Sequence, residues 1–496
     1  MKERCCKYCF IHSSQQGVKR LRSKKLRWEK EPQRLFEANL EELLDIFLAS
    51  EFCTSFGARI DTLGREKMAR RCSWETYHCF KRILHFLQNP EPRELAKSTL
   101  RDVAVWYSCG MLHVWWQDDL PQREGSLVRR ILSLAAGGDI ISFAGGLPNA
   151  KHFPVQEVGE VLAAISQEPP LMRLALQYGE TDGYYPLREI IAESYARKDN
   201  LPIKPEQVGI TTGSQQAIDL LSRVLPRGSV VAVERPTYLA ALSALRLGAH
   251  DFVEVVLDEE GPEVGSLPER AAAFYAVPNF QNPSGITWSN ARREAVARWA
   301  HERGALLVED DPYGEIRFRG KRQRSLAAFA PAHTLLLGSF SKILAPGMRV
   351  GWFVAPEGGG RLFEEMRFVK ESADLHTSTF AQVVIAEYYR RGFAQAHIEA
   401  VARAYGKRAA LMRELFHELL PEVRTTDPEG GMFLWAVLPE GMDARELFTI
   451  ALEEGVAFVP GDVFYASAPE RRTLRINFTA EDEGGIEEGV RRLARA

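Results

Sequence analysis

The sequence predicts a layered α/β fold built on a mostly parallel, seven-stranded sheet and followed by a smaller α+β C-terminal domain. Three features carry this expectation. From about residue 121 onward, short apolar runs bounded by turn residues recur at 208–212, 230–234, 252–256, 274–278, 305–309, 335–338 and 349–354. Stretches of helix length lie between several of them, among others 214–224, 238–247 and 289–303. Strands and helices alternating in this way pair in parallel through helical crossovers. After about residue 368 the pattern changes to a long helical stretch from 382 to about 420, then short strand-like pieces at 431–437, 456–459 and 473–478. The chain thus divides into an extension (1–120), an N-terminal arm (121–150), a large domain (151–367) and a small one (368–496).

Composition narrows the function classes. The 496 residues are 45% hydrophobic, enough for a large core and two to four domains. A net charge of −3 argues against nucleic acid or a membrane surface as the main partner. No apolar run approaches the roughly 18–20 residues that span a bilayer, and the basic start lacks the apolar segment of a secretory signal. A cytoplasmic location is therefore expected. All seven cysteines precede residue 110, so no disulfide framework holds the main fold. The extension is basic and compositionally unlike the rest. Leu35, Phe36, Leu40, Leu43, Leu44 and Phe47 could share one helix face. Cys6, Cys9 and His12 have a loose metal-ligand look, but structural zinc needs four ligands and no second pair is evident. No metal is expected.

In an open parallel sheet ligands gather beyond the C-terminal ends of the strands, so the polar residues just after each apolar run carry the argument. Gly338, Ser339, Phe340, Ser341 and Lys342 follow one run, with Arg349 a few residues on. A lysine beside a buried strand is costly to desolvate, and desolvation or neighbouring cations make its amine a nucleophile for Schiff-base chemistry. The segment alone also reads as a surface lysine beside a Pro-Gly turn. Asp310, Asp311 and Tyr313 follow the 305–309 run, where a carboxylate needs a partner or a function. Asp311 capping the next helix accounts for part of that pattern. Asn282, Pro283, Ser284 and Gly285 form a turn that also presents a rigidly held amide. Gly213, Ser214 and Gln215 open a helix, either as a plain cap or as an anion site. Arg475 alternates with apolar residues on a strand. It faces either solvent or, if inward, a carboxylate.

Order and spacing together make the chain resemble the fold-type I pyridoxal-phosphate aminotransferases, in the branch of 2-aminoadipate, kynurenine and other broad-specificity enzymes. The resemblance covers about residues 121–496. It begins at the run 140–148, which ends in Gly145, Gly146, Leu147 and Pro148. It continues through Gln177, Tyr178 and Gly179; 213–216; 282–285; Asp310 with Tyr313; 339–342; Arg349; 430–433; and Arg475. It implies pyridoxal 5′-phosphate as cofactor, held covalently by Lys342, which also shuttles the proton at the substrate's Cα. It implies Asp310 on the pyridinium nitrogen, Asn282 and Tyr313 on the phenolic oxygen, and Tyr238 stacked on the ring. Gly213, Ser214, Gln215, Ser339 and Arg349 would cradle the phosphate. Tyr178 would reach the phosphate of a neighbouring subunit in a homodimer. Arg475, helped by Asn282 and the backbone of Gly146, would clamp the substrate carboxylate. The implied reaction is ping-pong transamination in amino-acid metabolism and biosynthesis, from a 2-aminoadipate-like, aromatic or branched-chain amino acid to a 2-oxo acid such as 2-oxoglutarate. Residues 373–377 resemble the 2-aminoadipate group, and Arg123, Ser126 or Arg129 could meet an acidic side chain.

Three alternatives stand beside this reading. The same lysine and ring contacts serve β-elimination and decarboxylation. Some transcription regulators fuse a DNA-binding winged helix to a domain of this branch, though residues 65–84 lack the small-residue turn of a helix-turn-helix. The extension could also reflect a start codon assigned upstream of the real one, near Met111.

Overall fold

The computed structural model describes residues 140–496, which belong to the compact unit Asp119–Ala496. The expectations for the extension and for Arg123, Ser126 and Arg129 lie outside the described residues. The elements begin with β1 (Ile141–Ser142), α1 (Val155–Ser166), α2 (Pro169–Ala175), α3 (Tyr185–Asp199), β2 (Val208–Thr211) and α4 (Ser214–Val224). Next come β3 (Val230–Arg235), α5 (Leu239–Leu247), β4 (Asp251–Asp258), β5 (Gly261–Pro262), β6 (Ala273–Ala276), α6 (Asn290–Arg303) and β7 (Leu306–Asp310). They are followed by β8 (Thr334–Ser339), β9 (Gly351–Val354), α7 (Gly360–Asp374), α8 (Thr379–Arg390) and α9 (Phe393–Leu419). The chain closes with β10 (Arg424–Thr425), β11 (Phe433–Val437), α10 (Ala444–Glu453), β12 (Val456–Ala457), β13 (Val459–Pro460), β14 (Thr473–Asn477) and α11 (Glu483–Arg495).

The large sheet has the order β2-β9-β8-β7-β6-β3-β4-β5. Its first seven members are the strands expected from the apolar runs, and the eighth, β5, is a two-residue strand folded back on the end of β4. Of those seven only β9 runs against the rest. It pairs antiparallel with β2 and β8, whereas β8, β7, β6, β3 and β4 pair in parallel. The cause is the short return from β8 to β9, which has no crossover helix, and a parallel pair needs a longer connection. Strands β2, β6, β8 and β9 are buried at every residue, as befits a sheet covered on both faces.

A second, antiparallel sheet of order β10-β11-β14-β13 forms from the C-terminal part, and β1 pairs in parallel with β12. The stretch expected as one helix from 382 to 420 is two helices, α8 and α9. Gly392, at φ +78°, takes a left-handed turn between them that a continuous helix cannot contain. Helix α7 runs through position 367, where the sequence divides large from small. Among the described residues no helix is long and apolar enough to cross a membrane.

Candidate active site

Most of the residues singled out in the sequence lie just beyond the C-terminal ends of the parallel strands; Arg475, Arg349, Gly146 and Tyr178 come from elsewhere. Strand β2 leads through Gly213 into α4, β3 leads to Tyr238, and β6 leads to Asn282. Strand β7 ends on Asp310, before Tyr313, and β8 ends on Ser339, before Lys342. One edge of the sheet thus collects residues from five separate segments.

Asp310 is 2% exposed, and the Tyr275 hydroxyl donates to its Oδ2 at 2.7 Å. Its Oδ1 has no hydrogen-bond partner among the described residues. Burial pushes this carboxyl up to about 7, against the pull of the Tyr275 bond. A cationic ring nitrogen at Oδ1 would satisfy the unpaired oxygen and hold the group as a carboxylate. Lys342 Nζ donates to the carbonyl oxygen of Gly146 at 2.6 Å. Burial, then Arg475 and Arg349, lower its pKa to about 8, so a neutral amine is accessible near physiological pH.

Arg475, on β14, is turned inward and 6% exposed. Its Nη1 donates to Asn282 Oδ1 and its Nη2 to the carbonyl oxygen of Ala144, both at 2.9 Å, while Nε has no partner. The guanidinium carbon lies 4.3 Å from the ring centre of Phe433 and 5.0 Å from that of Phe464, which fixes its plane. Burial lowers its pKa to about 10, and among the described residues no carboxylate pairs with it. Asn282 Nδ2 also donates to the Tyr313 hydroxyl at 3.3 Å, tying those two residues together. Tyr238 borders the same space, its phenol pushed up by burial and by Asp310.

The candidate anion cradle lies around the start of α4. By helix geometry the N–H groups of Ser214 and Gln215 have no intrahelical acceptor, and the helix dipole favours an anion there. Gly213 adopts φ +78°, and a Cβ on it would lie 2.8 Å from Arg349 Nη2, so only glycine leaves room for the guanidinium. Arg349 donates to the carbonyl oxygen of Thr212 at 3.2 Å and to Ser341 Oγ at 3.4 Å, and Ser339 Oγ donates to Ser341 Oγ at 2.9 Å. The Gln215 amide nitrogen is occupied by the carbonyl oxygen of Ala240, which leaves its Oε1 without a partner. Tyr178 stands apart from this group, 78% exposed, its ring edge-on to His376 at 5.7 Å.

Sequence reading missed several supporting residues. Tyr275, inside an apolar run, gives no signal of its own. Glu234 is fully buried, without a counter-ion among the described residues, and burial raises its pKa to about 7. It accepts from the backbone of Val277 (3.0 Å), from Gln281 (3.1 Å) and from Trp288 (3.0 Å). It thereby anchors the loop that carries Asn282. Phe464 reads as a plain core residue, and Phe433 enters only within the 430–433 stretch of the resemblance, with no role of its own.

The arrangement fits pyridoxal phosphate at three points: an unpaired buried carboxylate oxygen for the ring nitrogen, a glycine-cleared helix start beside an arginine for the phosphate, and a desolvated lysine for the aldehyde. Comparison with known proteins agrees. The family model for aminotransferase class I and II matches residues 145–493. The 2-aminoadipate transaminase of Thermus thermophilus is 42% identical over 385 residues, covering 75% of this chain and 94% of the relative. The aromatic-amino-acid aminotransferase 1 of Thermococcus litoralis is 39% identical over 384 residues, covering 75% and 91%. The crystal structure of the Pyrococcus horikoshii kynurenine aminotransferase in complex with PMP superposes with a TM-score of 0.74 at 40% identity, covering 78% of this chain and 98% of that one. At lower identity, 29%, an uncharacterized HTH-type transcriptional regulator of Bacillus subtilis also matches, covering 75% of this chain and 77% of its own. The chain belongs to the class I and II aminotransferases and is a pyridoxal-phosphate-dependent transaminase of fold type I.

Proposed function

We propose that the enzyme moves the amino group of a 2-aminoadipate-like, aromatic or branched-chain L-amino acid to a 2-oxo acid such as 2-oxoglutarate, in two half-reactions of ping-pong order. Arg475 carries the proposal. A desolvated guanidinium without a carboxylate partner is costly, and the α-carboxylate shared by amino and oxo acids is its bidentate match. The activities for which the relatives are named, on 2-aminoadipate, aromatic amino acids and kynurenine, support these substrate classes.

Pyridoxal phosphate supplies the electron sink that makes the substrate's Cα–H acidic. Lys342 would hold the aldehyde carbon of that group, and its amine would carry the proton at the substrate's Cα. Asp310 would keep the ring nitrogen protonated, Asn282 and Tyr313 would serve the phenolic oxygen, and Tyr238 would cover the ring. Ser214, Gln215, Ser339 and Arg349, with the backbone at Gly213, would hold the phosphate. Asn282 and the backbone of Gly146 help Arg475 orient the carboxylate. Tyr178, exposed with its neighbour Leu176, reaches the partner's phosphate in a homodimer. Light scattering of the loaded protein checks that assembly.

The direct test is an absorbance scan of the loaded protein with 2-aminoadipate and no acceptor. The cofactor's visible band should give way to a near-ultraviolet one, and 2-oxoglutarate should reverse the change. Glutamate, leucine and kynurenine then rank the donors. A spectrum that no amino acid converts would sink the proposal.

Two further outcomes are expected. Arg475→Leu should lower kcat/KM for both the amino and the oxo substrate by about 10²–10³-fold, the cost of losing one partner of a buried charge pair. Steady-state kinetics on both half-reactions read this, and a loss confined to one substrate contradicts a shared carboxylate clamp. Capture of pyridoxal phosphate by the stripped protein requires the neutral amine of Lys342, whose pKa is lowered to about 8. The rate of capture should therefore climb with pH and level off above about 8. A rate flat between pH 6 and 9, followed by fluorescence, contradicts it.

A further inference from the structure

We propose that Lys370 is a positioning residue for the phosphate cradle, acting through Gln216 and Thr212 without touching the cofactor; the proposal rests on reading the start of α4 as the phosphate site. Lys370 lies on α7, one turn before its last residue, Asp374, and is 1% exposed. An ammonium this deeply buried needs acceptors on every side, and it has them. Its Nζ donates to Gln216 Oε1 at 3.1 Å, to Asp374 Oδ1 at 2.8 Å and Oδ2 at 3.1 Å, and to Thr377 Oγ1 at 3.1 Å.

These acceptors lead to the cradle. Gln216 Oε1 also accepts the backbone N–H of Thr212 at 2.7 Å, so one oxygen is held between Lys370 and the residue before Gly213. Asp374 Oδ2 accepts from Gln216 Nε2 at 2.7 Å and from Thr212 Oγ1 at 3.1 Å, and Thr212 and Thr377 share a hydroxyl contact of 3.2 Å. Thr212 is thus gripped at its N–H and at its hydroxyl, while its carbonyl oxygen accepts from Arg349. The N–H of Thr212 is spent on Gln216 and is unavailable to an anion. What it gains is a fixed peptide, from which Gly213 turns and the free N–H groups of Ser214 and Gln215 start the helix. Lys370 and Asp374 alone would read as an ordinary i, i+4 surface pair. Packing of α7 against α4 buries the lysine and makes the pair a clamp on the loop.

The test compares pyridoxamine 5′-phosphate with pyridoxamine, which lacks the phosphate, binding to the full-length protein stripped of cofactor. Neither ligand needs Lys342 as a nucleophile, so the readout is independent of turnover. In Lys370→Met, affinity for pyridoxamine 5′-phosphate should fall about ten- to a hundredfold, the worth of losing a hydrogen bond to a charged group. Affinity for pyridoxamine should stay within about twofold, because its contacts lie at the ring. Lys370→Arg should recover part of the loss. Gln216→Leu, which removes the shared acceptor, should reproduce the same phosphate-specific loss and carries the test should the lysine variant fail to fold. Equal weakening of both ligands, or no weakening of either, overturns the positioning role. A wild-type protein that does not prefer the phosphorylated ligand overturns the cradle itself.

Discussion

Replacing Lys342 with alanine is expected to lower transamination by at least about 10²–10⁴-fold, the usual contribution of a positioned proton carrier. The loss of covalent capture comes on top of that. The geometry suits the residue to both tasks. Its amine lies 2.6 Å from the carbonyl oxygen of Gly146, in a pocket that burial, then Arg475 and Arg349, make unfavourable for an ammonium. Arginine in its place isolates the cause, because a guanidinium stays protonated and cannot act as nucleophile or base. Lys342→Arg should therefore be as inactive as the alanine variant. Both should release their cofactor on dialysis and lose the visible band, and a small added primary amine should restore part of the activity of the alanine variant. Retention of a dialysis-resistant visible band in either variant would show that another group holds the cofactor.

Much of the sheet was legible because its strands are covered on both faces and read as uninterrupted apolar runs. The site was legible for a related reason. Once a run ends, a polar residue such as Ser339, Asp310 or Asn282 stands out against it, and the fold places all such ends on one edge. What did not show was pairing across strands. Tyr275 sits opposite Val308 in the parallel register of β6 and β7, beside the chain of Asp310, and nothing in a linear pattern brings the two together. Glu234 is hidden in the same way, since its three donors come from the β6 end and the loop beyond it. The break between α8 and α9 was missed because apolar spacing continues across it, and Gly392 alone marks the turn. Lys370 was missed because i, i+4 spacing cannot tell a solvated face from one covered by another helix.

The Asp310→Asn variant separates chemistry from cofactor binding. Asparagine keeps the size of the side chain and an oxygen to accept from Tyr275, but it removes the charge opposite the ring nitrogen. Asp310 pairs with no cation among the described residues, and burial, helped by the neighbouring charge of Asp311, holds its carboxyl near 7. The ring nitrogen of the cofactor would then be the cation that keeps it ionised, each stabilising the charged form of the other. Losing that pair should reduce kcat by about 10²–10³-fold, the scale of removing one electrostatic partner from a reacting centre. KM for the amino acid should change little, because Arg475 and Asn282 are untouched. Tyr275→Phe is the graded companion. The Tyr275 bond opposes the upward shift of the Asp310 carboxyl, so its loss should make the carboxylate harder to maintain and slow turnover by about tenfold. Unlike the Lys342 variants, Asp310→Asn should retain a visible band after dialysis and convert slowly when mixed rapidly with an amino acid. Single-turnover rates measured in that way decide between the two residues. If Asp310→Asn converts at the wild-type rate, the carboxylate does not govern ring protonation, and its unpaired oxygen needs another explanation.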